Sequence, residues 1–169
     1  MALLDNFQGG IIVYYLQPGD PGYTAPDTNG LIVYPQVLTT APWGCTGVRT
    51  GAIAQGVGSG SANTTAILSA CTAAGIAAKV CSDLSAGGYS DWYLPSKDEL
   101  NKVYLQRASL SFLNNTAGYW SSSETESDAQ SPFMYTAYGQ LFAQTQNLSV
   151  ASVSKDVPYY VIAMRSFWS

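Results

Sequence analysis

The side chains able to do chemistry are few, and their types narrow the options. The chain has no histidine. Ser–His and Cys–His catalytic pairs are therefore excluded, and so is the commonest zinc ligand. Three cysteines stand at Cys45, Cys71 and Cys81, with no C-x-x-C spacing, so a zinc ribbon or thioredoxin-type motif is not expected. An odd count allows one disulfide beside a free thiol, or three thiols, and spacing does not choose between them. Carboxylates recur at Asp91, Asp98, Glu124, Glu126 and Asp128. Calcium takes six to eight oxygen ligands, several from nearby carboxylates, and Glu124-x-Glu126-x-Asp128 offers three at alternate positions. The run 124–132 (ETESDAQSP) reads as a solvated acidic loop, with calcium as the alternative and no cofactor required.

The remaining chemistry is that of contact. Arg49, Lys79, Lys97, Lys102, Arg107 and Lys155 are candidate partners for anionic groups on a ligand. Of these, Lys102, Arg107, Arg49 and Lys79 are the expected binding residues. Lys102 and Arg107 lie five apart, only loosely on one side of a helix. Dispersed, solvated charges are the rival reading, although a three-fold assembly would gather one lysine per subunit into a cluster around its axis. Tyr135, Tyr138, Gln144 and Asn147, with Phe142 and Gln146, supply rigid aromatic area and adaptable hydrogen bonding, as binding surfaces do.

These groups need elements to hold them. Residues 9–16 (GGIIVYYL) and 30–34 (GLIVY) are β-rich runs, separated by a loop with three prolines. Residues 36–61 lack periodicity. Helical pattern begins at Asn63, taken as a cap, and runs to Asp83 with a break at Gly75. The strongest local signal is Ser96-x-x-Glu99. A serine at the cap accepts from the backbone three residues on, and the glutamate reaches back. Leu100, Val103 and Tyr104 then recur at helical spacing. Tyr119–Ser123, 133–137, 141–145 and 159–167 are strand candidates, the last read as one long central strand.

Trp92, Pro95, Ser96, Glu99, Trp120 and Arg165 read as structural. The tryptophans fill the core and Glu99 caps its helix. Arg165 sits on an apolar strand and needs a carboxylate, expected to be Asp98 or Glu99.

The chain has 169 residues, enough for one domain with its own core and no second-domain linker. Twenty-one aromatic residues, from 12 Tyr, 4 Trp and 5 Phe, exclude a disordered chain. A net charge of −4 argues against nucleic acid as partner. No run reaches the length of a membrane helix, so no membrane insertion is expected. Residues 1–8 lack the basic and apolar segments of a secretion leader.

Several motifs occur in series: the Gly9-Gly10 strand, Trp43-Gly44-Cys45, Asn63-Thr64 with Ile67, GIAAKVCSDL over 75–84, GGYSDWYLPSKDEL over 87–100, YWSSSE over 119–124, and Arg165-Ser166-Phe167. This series resembles the C-terminal domain of the Legionella collagen-like adhesin family, and the likeness covers nearly the whole chain. The resemblance implies an α+β, C-type-lectin-like fold related to the formylglycine-generating enzymes. Two helices would pack on mainly antiparallel sheets with long irregular loops, in a single domain over 1–169. It implies a non-enzymatic, secreted or surface-exposed homotrimeric tip, on a cell or a virion. Its ligand would be a sulfated polysaccharide of glycosaminoglycan type, bound in attachment and biofilm formation. The alternative is a phage or bacterial receptor-binding tip that grips a protein. Those enzymes use cysteine and copper chemistry; Cys45, Cys71 and Cys81 do not align with that site, so the activity is not implied. No collagen-like tract is present in the chain.

Overall fold

A computed structural model describes residues 1–125 and 135–168. The fold is mixed α+β, with two sheets and, among the described residues, four helices. The first sheet joins β1 (Asn6–Phe7), β2 (Gly10–Tyr15), β3 (Asn29–Val33) and, closing it, β9 (Met164–Trp168) in that order. All its pairings are antiparallel. The second runs β4 (Thr39–Ala41), β8 (Tyr159–Val161), β5 (Gly118–Glu124), β6 (Thr136–Leu141) and β7 (Val150–Ser154). Only β5 with β8 is parallel there.

Alternation along the strands divides the apolar side chains between two clusters. Ile12, Ile32, Trp120, Val161 and Phe167 join Ile67 of α1 (Gly60–Ala70) and Cys81 of α2 (Ala77–Ser82). Val13, Leu31, Tyr119 and Met164 join Leu100, Val103 and Tyr104 of α3 (Lys97–Leu105). The fourth helix, α4 (Gln146–Ser149), is a single turn between β6 and β7.

The helix at residue 97 forms as its sequence predicts. Ser96 Oγ accepts from Glu99 N at 3.3 Å, and Glu99 Oε2 accepts from Ser96 N at 2.8 Å. Trp92 and Trp120 are core residues, and Pro95 is buried, its carbonyl accepting from Ser122 N at 2.7 Å.

Several expectations are corrected. Among the described residues four α-helices form, not two. Asn63 does not cap α1 but lies buried inside it, donating from Nδ2 to Ala54 O at 2.7 Å. The strand expected over 159–167 divides at Ile162-Ala163 and its halves enter different sheets; both residues are wholly buried, Ile162 in one core cluster and Ala163 in the other. β9 ends its sheet's order and is extended only by a single bridge, Met164 to Tyr93. Of the strand expected over 141–145 only Leu141 is β, as the last residue of β6, and 142–144 turn; β6 begins at Thr136, where 133–137 is expected as the strand, and 133 and 134 lie outside the described residues. β7 had no counterpart in the sequence reading.

Arg165 pairs with neither Asp98 nor Glu99. Its Nε and Nη2 donate to the two Asp91 oxygens at 2.7 and 3.2 Å, and Nη1 donates to Gln8 Oε1 at 2.7 Å. The guanidinium also lies 3.7 Å over the Tyr89 ring. That bidentate hydrogen bond holds the Asp91 carboxyl below its usual range.

Cys45 and Cys71 form a disulfide spanning 26 residues, and Cys81 is a free, buried thiol. Loop-closure entropy for a cross-link of that span is worth about 3 kcal/mol. Replacing both Cys45 and Cys71 by Ala should lower the unfolding free energy by about that much, read from urea denaturation. A loss below about 1 kcal/mol would show that the cross-link is not what ties this region down.

Burial pushes the Glu99 carboxyl above its ordinary value of 4.5, against the pull of donors from Ser96, Gly58 and Tyr93. A raised folded pKa gives stability that is full below 4.5 and lost as pH rises through the folded value. Measured by urea unfolding from about pH 4 to 7, the stability of the wild type relative to Glu99→Gln should therefore fall as pH rises through that window. A flat difference would mean that the carboxyl titrates alike in both states.

Candidate binding site

The long segment between β4 and α1 sets the geometry of this end of the molecule. Residues 42–59 form no strand or helix. Their backbone groups still require partners, and buried side chains supply several of them. Glu124, wholly buried at the end of β5, accepts from Thr50 N at 3.0 Å and from Gly51 N at 3.2 Å. Ser123 Oγ donates to Ala54 O at 2.8 Å, Ser96 Oγ donates to Gly56 O at 2.8 Å, and Glu99 Oε1 accepts from Gly58 N at 2.9 Å. Gly60 follows at once. A β-carbon there would stand 2.2 Å from Glu99 Oε2, so only glycine lets the segment approach that carboxylate.

Glu124 is also half of a buried ion pair. Lys155 Nζ lies 2.6 Å from its Oε1, with both side chains fully buried. The same ammonium donates to Val48 O at 2.9 Å and sits 4.6 Å over the Trp43 ring. Burial pulls Lys155 below the usual lysine range, while Glu124 pulls it back. Two expectations fall here. Glu124 is not part of a solvated acidic loop, and Lys155 is not a surface contact for a ligand. A charge this deep needs a partner, and each is the other's. Glu126 and Asp128, the other members of the calcium alternative, lie outside the described residues. Among the described residues no group of three or more Cys, Asp or Glu could hold a metal ion.

With this end fixed, α3 lies across β6. Lys97 and Asn101, one helical turn apart, meet alternate residues of the strand, Tyr138 and Gln140. The Lys97 ammonium sits 5.1 Å over the Tyr138 ring and donates to Gln55 Oε1 at 3.1 Å. Asn101 Oδ1 accepts from Gln140 Nε2 and from Gln146 Nε2, each at 2.9 Å. Gln140 is buried, also donates to Ser149 Oγ at 3.0 Å, and its Oε1 has no hydrogen-bond partner among the described residues. Exposed Ser152 of β7 stands opposite Tyr138, so the two share one face of the sheet. The result is a patch of one ammonium, one phenol and three amides carried on regular elements.

The expected binding residues do not all gather there. Tyr138 belongs to the patch. Gln144 and Asn147 are exposed beside it in the turn and in α4. Tyr135 is 50% exposed at the loop end, its ring facing Gly47. Arg49 is exposed on the segment that Glu124 holds. Arg107 clamps local backbone, donating to Phe142 O at 3.1 Å and to Tyr104 O at 2.9 Å. Lys102 faces β2 instead, 4.2 Å over the Tyr14 ring. Lys102 and Arg107 are thus separated. Lys79 is on α2, ion-paired with Asp83 at 2.6 Å. Phe142 is core, not surface. Asn101 and Gln140 were missed by the sequence reading. The one available signal was the four-residue spacing of Lys97 and Asn101 on a helix whose start was already fixed.

Removing one partner of the buried pair leaves an uncompensated charge, a cost of about 3–5 kcal/mol. Glu124→Gln and Lys155→Met should each lower stability on that scale, and the double variant should cost well under their sum. A urea-unfolding double-mutant cycle reads this. Additive losses would mean that the two charges act separately.

Among the described residues no helix is long and apolar enough to cross a membrane. Comparison with protein-family models and with curated proteins returned no match for this chain.

Proposed function

We propose that this chain is an extracellular recognition domain of C-type-lectin-like type, which binds a surface glycan through Lys97, Asn101, Tyr138 and Gln146, with buried Gln140 holding Asn101 from beneath, and does not transform it. The observation that carries the reading is the pairing of the Lys97 ammonium over the Tyr138 ring beside a linked amide cluster. Sugars present hydroxyls that both donate and accept, and side-chain amides do the same. An aromatic ring offers a flat apolar surface to a sugar's C–H face, and an ammonium suits a sulfate or carboxylate on it. The disulfide supports a secreted or surface location, since such bonds persist in oxidising compartments. A homotrimeric tip would raise modest single-site affinity by linking three patches.

A protein-binding tip is the second reading. It is favoured by Leu148, 67% exposed next to Asn147. An exposed apolar side chain among Tyr, Ser, Asn and Gln resembles a protein-binding surface more than a sugar site.

The test is a glycan array that includes sulfated polysaccharides and their desulfated forms, read at low salt. The wild type should be retained on sulfated members, and Lys97→Gln and Tyr138→Ala should each weaken binding by about tenfold with thermal unfolding unchanged. Absence of retention on every glycan would overturn the glycan reading. Binding to a protein receptor that Leu148→Asp abolishes would put the second reading in its place. Sedimentation should return a trimer.

A further inference from the structure

A second concave site lies away from the patch, between β2, the N-terminal segment and the outer edge of α3. It is a cleft of about 490 Å³, within the roughly 300–1,000 Å³ range of small-molecule sites. Its walls include Leu3, Val13, Tyr14, Asp27, Lys102 and Leu105.

An irregularity in β2 makes the cleft. Pairing with β3 shifts register between Ile12 and Tyr14. Strict alternation would put Val13 and Tyr14 on opposite faces. The bulge instead puts both against the α3 cluster, Val13 buried and Tyr14 partly so. Gly30 permits the distortion, since a β-carbon there would stand 2.1 Å from Tyr14 O. Bulges beside functional sites commonly re-aim a side chain in this way. Tyr14 is then held: its hydroxyl donates to Asp20 Oδ2 at 2.7 Å, and the same oxygen accepts from Gln17 N at 2.8 Å.

Lys102 completes the site. Its ammonium sits 4.2 Å over the Tyr14 ring. Among the described residues it has no carboxylate within salt-bridge distance, unlike Lys79, Lys155 and Arg165. The wall beside it is apolar and open, with Leu3 44% and Leu105 54% exposed.

We propose that this cleft binds a small amphiphilic anion, an alkyl or aryl carboxylate or sulfonate. The anionic group pairs with Lys102, and the apolar body lies on Leu3, Val13 and Leu105. The cleft is too small for a folded partner; its lining carries Lys102 and the N-terminal residue Met1 against the single carboxylate of Asp27, and the Lys102 ammonium beside Leu3, Val13 and Leu105 sets the ligand's polarity. This site is independent of the glycan patch and stands or falls separately from it.

The experiment is a fluorescence titration of the full chain with anilinonaphthalene sulfonate. One saturable, blue-shifted binding event per chain is expected, displaced by octanoate and not by octylamine. Lys102→Met should weaken it by about tenfold, while Lys102→Arg retains it. Leu105→Asp should weaken it as well, through the apolar wall. Failure of the folded wild type to bind the probe overturns the proposal. So does binding that Lys102→Met leaves unchanged, or displacement by octylamine as readily as by octanoate.

Discussion

Residues 42–59 have no ladder of their own, and that is the constraint on which the rest of the structure depends. A stretch of backbone this long, packed against a core, must still satisfy its amides and carbonyls. Here backbone groups of Lys155, Ala77, Glu124 and Asp98 supply some partners, and side chains anchored elsewhere supply others: Glu124 and Ser123 at the end of β5, and Ser96 and Glu99 at the start of α3. One irregular segment is thereby bound to a strand and a helix at once. Each buried carboxylate accepts from at least two backbone N–H groups, and such bonds offset much of the cost of removing charge from water. Glu124 has Lys155 as well. Glu99 has no cation partner among the described residues, and the rise in its pKa is the residual cost.

The patch inherits its rigidity from this arrangement. The start of α3 is fixed by its capping box and by the segment beneath it, with Asp98 N donating to Gln55 O at 2.9 Å. Lys97 and Asn101 therefore have little freedom in how they meet β6. The strand is equally tied, through Ser121 Oγ donating to Tyr138 O at 2.6 Å. Side chains presented from regular elements lose less conformational entropy on binding than the same side chains on loops. A weak single-site ligand gains most from such a surface.

The local part of this design was legible in the sequence, and the long-range part was not. Ser96 and Glu99 are three apart, and capping-box chemistry acts over that distance. Glu99's bond to Gly58 crosses 41 residues, and Glu124's ion pair with Lys155 crosses 31. No spacing rule reaches so far. Charged residues are usually exposed, so both members of the pair read as surface. For Arg165 the requirement for a carboxylate was correct and its identity was not. Strand pairing brings Tyr93 to Met164, which places Asp91 next to Arg165, while Asp98 and Glu99 are carried into the helix. The run 159–167 misled for another reason. Continuous apolar character marks burial but not the place where a strand changes sheet. In YWSSSE the aromatic pair signalled a core strand, and the serines gave no hint that they bridge to residues 54, 63, 97 and 138.

The use made of the cations bears on how anions could be recognised at all. The chain has seven lysines and arginines against eleven acids. Lys155, Arg165 and Lys79 are ion-paired within the molecule, and Arg107 is bound to backbone carbonyls. Lys97 and Lys102 differ from these. Each stands over a tyrosine ring, as Arg107 and Arg165 also do, but among the described residues neither lysine is tied to an acidic side chain or to a backbone carbonyl. An ammonium held against a ring keeps its position without being neutralised, whereas an ion pair must be broken before a ligand can use either charge. A molecule with net negative charge offers a polyanion no attraction at long range, beyond a Debye length of roughly 8–10 Å in physiological salt. Selectivity must then come from short contacts at fixed points, where one placed cation and its aromatic support outweigh the average field.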